Sequence, residues 1–103
     1  PICMPDPEPF LDLVAAHPGG VRHLFVGHLH VPFTGTIRGG LPVTAARSSN
    51  HLMAIDFTDP GAKWIAGSPA YNVILLERDS IFVHPIDRLD DPPIGYGEAC
   101  AGP

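Results

Sequence analysis

Six histidines punctuate the sequence: His17, His23, His28, His30, His51 and His84. Two of them have informative spacing. His28 and His30 stand at i and i+2 in Gly27-His28-Leu29-His30, directly after the apolar run Val21-Arg22-His23-Leu24-Phe25-Val26. Neutral imidazole is the commonest biological metal ligand. In a strand, residues i and i+2 share a face; in a loop beyond a strand they reach two neighbouring ions. Gly27, lacking a side chain, lets the backbone turn sharply beside them. The pattern suits metal binding. Taken alone it also fits two ordinary surface histidines, because so short a motif recurs by chance.

Other residues carry weaker signals. Ser48-Ser49-Asn50 precedes His51, and a capped turn before a strand explains that run without chemistry. The functional alternative places Arg47, Asn50 and His51 at a substrate pocket, with Arg47 on a phosphate oxygen or simply in a surface ion pair. Trp64 reads first as loop packing and second as a surface for stacking a base. His23 reads as strand packing, and His17 and His84 as solvated ends of elements. No residue reads as a general acid or base. Cys3 and Cys100 form no C-x-x-C pair and read as free thiols.

The elements that must position these residues follow from punctuation by 13 prolines and 11 glycines. Asp6 suits a helix cap and Pro7 a first helical position. Phe10, Leu13 and Val14 then share one face, which predicts a helix over Pro7 to His17, stopped by Pro18-Gly19-Gly20. Val21 to Val26 reads as a strand. Phe33 to Arg38 and Leu41 to Ala45 read as a hairpin around Gly39-Gly40, with Pro42 at an edge or outside the ladder. His51 to Phe57 alternates as a strand, Thr58 to Pro69 is a loop, and Tyr71 to Arg78 pairs with Ile81 to His84 around Asp79-Ser80. The expected fold class is α+β: one N-terminal helix and a mostly antiparallel sheet of about six short strands in residues 1–85, with an irregular tail over 86–103. One helix cannot cover such a sheet, so the rest of the same protein or a second copy of the chain must.

Composition narrows the functions. With 103 residues there is room for one domain at most. The chain is 45% hydrophobic and 17% charged, as a folded protein with a core is. A net charge of −5 with six Lys and Arg and no basic run excludes a nucleic-acid groove. An acidic protein that handles phosphate takes its positive charge from bound metal ions. No apolar run approaches the ~18 residues of a membrane span, and Pro1-Ile2-Cys3-Met4-Pro5 has no signal-peptide features. A cytoplasmic protein is expected, and this N-terminus reads as that of a fragment.

The stretch Val21 to His30, with His17-Pro18-Gly19-Gly20 before it, resembles the last metal-binding motif of the calcineurin-like metallophosphoesterases. In that family an amphipathic helix and an apolar strand lead into G-H-x-H. Thr34 to Val43, Ala46 to His51 and Tyr71 to His84 are similar to the family's return hairpin, Ser-rich segment and closing hairpin. The branch that the chain most resembles acts on cyclic nucleotides and glycerophosphodiesters.

The resemblance implies the C-terminal part of an αββα sandwich. It implies a two-metal site, with Fe, Mn or Zn, in which His28 binds one ion and His30 the other. It implies a phosphate-ester substrate clamped between the ions for in-line attack by water. The family's D-x-H, G-D and G-N-H motifs do not precede Gly27, so the ligands here are incomplete and the isolated chain is expected to be inactive. The alternatives are a non-catalytic β-module for self-association, including a dimer, and a small β-domain that holds one ion with His28, His30 and His51.

Overall fold

The computed structural model describes residues 4–54, 56–61, 63–87, 92, 94 and 95. The fold is α+β. One helix, α1 (Glu8–Ala15), precedes seven short strands: β1 (Leu24–Val26), β2 (Phe33–Ile37), β3 (Leu41–Ala45), β4 (Leu52–Met53), β5 (Trp64–Ile65), β6 (Ala70–Leu76) and β7 (Ile81–Asp87). They fall into three small sheets, β1-β3-β2, β4-β5 and β6-β7. Every pairing is antiparallel except that of β1 with β3. Cys3, Cys100, Ile55 and most of the expected tail lie outside the described residues.

The helix is shorter than its periodicity predicts. Pro7 is the N-cap, and the Glu8 backbone N–H donates to the Asp6 carboxylate at 3.2 Å. This satisfies one of the donors that a helix start leaves unpaired. The chain leaves through Gly19 and Gly20, at φ of 84° and 80°. Phe10 and Leu13 remain 42% and 72% exposed while Val14 is half-buried, so most of the apolar stripe of α1 is uncovered within the described chain. Arg38, at the β2–β3 turn, donates to both Glu8 and Asp12 and holds the helix from outside.

β3 is the central strand, and three of the four buried described residues, Val43, Thr44 and Ala45, lie in it. Pro42 lacks an N–H to donate. It pairs with Thr36 of β2, while pairing with β1 begins only at Val43. The proline thus sits where the strand still has one open side. The β2–β3 turn is Arg38-Gly39-Gly40, with both glycines at positive φ.

The β6–β7 hairpin is longer at one end and shorter at the other than its composition predicts. β7 continues through Pro85 to Asp87, and the turn takes four residues, Glu77 to Ser80. Two arginines moor it. Arg22 donates to the Glu77 and Ser80 carbonyls at 2.7 and 3.1 Å, and Arg47 donates to Asp87 and the Ser68 carbonyl at 2.9 and 2.6 Å. Tyr71, Val73, Leu75, Phe82 and Ile86 line an exposed face of this hairpin.

Gly39 and Gly35 separate backbone need from space. An added Cβ meets nothing within 4 Å at either, but Gly39 has φ +76° and Gly35 lies in β2. Gly39→Ala should cost about 1 kcal/mol. Gly35→Ala should be neutral or stabilising by about 0.5 kcal/mol. Urea unfolding of both variants measures the contrast.

Candidate functional site

β1 and β2 flank β3, with Val26 and Phe33 both registered against Ala45. The loop 27–32 therefore runs from one edge strand to the other across the C-terminal end of β3. Two inter-strand spacings amount to about 9.6 Å, whereas six extended residues reach about 20 Å. The slack is taken up by coiling. His28 and His30 lie at φ of 82° and 58°, the left-handed region that is uncommon for any residue with a Cβ. Gly27 is not at positive φ, and a Cβ added there meets nothing within 4 Å. The bend expected of the glycine is made by the two histidines. Residues held this way cost about 1–3 kcal/mol each and cluster at functional sites.

The chain leaving β3 emerges at the same end as this loop. His30 Nδ1 lies 2.8 Å from the His51 carbonyl oxygen. A carbonyl only accepts, so Nδ1 carries the proton and the neutral ring leaves its lone pair on Nε2. Metal-bound histidines commonly have this arrangement, with the second nitrogen donating to a carbonyl or carboxylate. The His30 carbonyl in turn accepts from the Met53 backbone N–H at 3.2 Å. The His51 ring lies 4.4 Å from that of His30 and 5.4 Å from that of Trp64, centroid to centroid. His28 is exposed, and His30 and His51 are half-buried.

The remaining candidates divide. The Asn50 backbone N–H donates to the Ser48 hydroxyl at 2.9 Å, the turn expected before His51. The strand expected over His51 to Phe57 is reduced to Leu52–Met53, and its partner, Trp64–Ile65, falls inside the segment read as a loop. Arg47 is occupied by Asp87 and Ser68, and its Nε is buried without a partner. It lines a cleft of about 550 Å³ between β2–β3 and β6–β7, with Phe33, Ala45, Asn72 and Val83. His28, His30 and His51 do not line that cleft. His23 bonds the Thr44 hydroxyl at 2.8 Å and stacks on Phe25, a contact that residue types alone do not signal. His17 and His84 are exposed.

The donor chemistry of His28 and His30 fits a metal ion; the donor count does not complete one. Among the described residues no three His, Cys, Asp or Glu gather to hold an ion, and zinc alone takes about four ligands.

No family profile matches the chain. The chain is similar to a probable cyclic nucleotide phosphodiesterase of Rhodopseudomonas palustris, at 36% identity over 75 residues. The match covers 70% of this chain and 26% of that protein, so the chain spans about a quarter of its relative's length. No described helix is long and apolar enough to cross a membrane.

Two expectations follow. Arg47→Ala should destabilise the fold by about 2 kcal/mol, because it removes a charged hydrogen bond to a carbonyl together with a half-exposed ion pair; thermal unfolding measures this. The second concerns the segment between β4 and β5. Asp56 is held below the ordinary carboxylate range by the Thr58 hydroxyl and amide. Asp59 is held low by Lys63 and then by the Gly61 amide. A depressed folded pKa stabilises above the unfolded value, and that contribution is lost as pH falls through the folded one. The Thr58 and Gly61 amide NMR signals should therefore hold steady down to about pH 4 and move only below it. In Asp56→Asn the acid-induced movement of Thr58 should disappear.

Proposed function

We propose that this chain is part of a two-metal phosphodiesterase of the calcineurin-like metallophosphoesterase kind, and that His28 and His30 are two of its metal ligands. The observation that carries the reading is His30 itself. Its Nδ1 proton is committed to a backbone carbonyl, its Nε2 is left as a donor, and its backbone is held in a strained conformation that strand order and backbone hydrogen bonds must maintain. The name of the R. palustris relative supports phosphodiester chemistry.

In this reading His28 and His30 each serve a different ion, Fe, Mn or Zn. When bound, such a pair of ions polarises the phosphate ester and acidifies a water. The protein's own part is positional. The crossover loop presents the two imidazoles at the open end of the β1-β3-β2 sheet. The His51 carbonyl fixes the ring orientation and tautomer of His30. Asn50 and His51 border the substrate, and Arg47 braces the segment that carries them.

The other ligands come from the remainder of the same domain, which also covers α1 and the exposed face of β6–β7. A second copy of the chain is the other cover these faces would accept. The described residues alone do not complete the centre, and no turnover is expected of them in isolation.

In the full-length protein, His28→Ala and His30→Ala should each lower metal content and cut phosphodiester hydrolysis by about 100-fold or more, since even outer-shell losses at metal sites cost about 10–100-fold. Elemental analysis and turnover of bis(p-nitrophenyl) phosphate measure both. Wild-type metal content and rate in the two variants would remove the reading.

A further inference from the structure

Trp64 is the sole tryptophan of the sequence and is 66% exposed, although it belongs to a paired strand. Its location is fixed from two directions. Trp64 pairs with Met53 in the β4–β5 ladder, and the Met53 N–H is bonded to the His30 carbonyl. The His51 ring neighbours both, 5.4 Å from the indole and tilted 60° to it, and 4.4 Å from the His30 imidazole and tilted 55° to it. The indole is tied to the backbone of His30 through Met53 and shares the His51 ring as a neighbour with it. An exposed aromatic surface thus lies one shared neighbour away from a candidate metal ligand.

The geometry points to Trp64 as the platform on which a planar substituent of the substrate stacks, which makes it a specificity-determining residue that favours phosphodiesters bearing a nucleobase over those bearing an alkyl alcohol. This rests on the metal-ligand role proposed for His28 and His30, since that role places the phosphate. A phosphodiester held at His30 has its substituent one ring beyond, where the indole stands. Stacking reads a π-face and not a hydrogen-bond pattern, so the platform selects planarity and discriminates weakly among bases. His51, in contact with both rings, acts here as a positioning residue.

The test uses the full-length protein as wild type, Trp64→Leu and Trp64→Phe. Leucine keeps apolar bulk at an exposed position and removes the π-face; phenylalanine keeps it. In the first arm, kcat/KM is measured for 3′,5′-cyclic AMP and for glycerophosphoethanolamine, and the ratio is compared across variants. The ratio should fall about tenfold in W64L, the scale of one base–aromatic stack, and stay within a few-fold of wild type in W64F. In the second arm, calorimetry compares binding of 5′-AMP and glycerol 3-phosphate, with the same selective loss expected in W64L. An unchanged AMP-to-glycerol-phosphate selectivity in W64L, or an equal loss in W64L and W64F, overturns the platform. Failure of wild type to hydrolyse either ester overturns the phosphodiesterase reading, and the binding arm still decides the role of Trp64.

Discussion

A parallel strand inserted between two others governs the arrangement. β3 pairs with β1 on one side and β2 on the other, yet β1 and β2 are consecutive in the chain. The six residues between them must therefore pass over the end of β3, and the chain leaving β3 must start beneath that crossing. The meeting of His30 with His51 follows directly. That contact does not depend on a large core, and the described chain has little of one: Val43, Thr44, Ala45 and Ala70 are its buried residues. The candidate site is set by strand order and backbone hydrogen bonds more than by packing.

The periphery follows a different logic. Arginine side chains do the joining where apolar burial is thin. Arg38 ties α1 to the β2–β3 turn, and Arg22 and Arg47 moor opposite ends of β6–β7. Four of the six basic residues are Arg22, Arg38, Arg47 and Lys63, and each has an acidic side chain or a carbonyl as partner. Among the described residues, three arginines are thus committed to holding parts together, while Lys63 pairs locally with Asp59.

Local features were readable in the sequence because their causes are local. Pro7, the 3.6-residue period of Phe10, Leu13 and Val14, the Gly39-Gly40 turn and the pairing of Tyr71 to Arg78 with Ile81 to His84 around Asp79-Ser80 each act within a few residues. Boundaries moved where a terminal effect intervened, as when α1 ended at Ala15 and β7 ran past Pro85. The crossing over β3 was not readable, because parallel pairing depends on partners about twenty residues apart. Trp64 reads as a loop residue because a two-residue strand has no period to detect. For the candidate site, the pair His28 and His30 is visible as a motif, whereas the hydrogen bond that sets the His30 tautomer depends on the crossing over β3, and the neighbouring indole on the long-range pairing of β4 with β5.

The two left-handed histidines have an evolutionary corollary. A backbone in that region is most comfortable with glycine, and next with asparagine. Replacing either histidine by glycine would relax the loop and remove an imidazole in the same step. At these two positions a gain in thermodynamic robustness and the retention of a donor atom are mutually exclusive. If His28 and His30 serve as the proposed metal ligands, selection for greater stability has to act elsewhere in the chain, and a lineage released from that role would be free to let the crossing relax first.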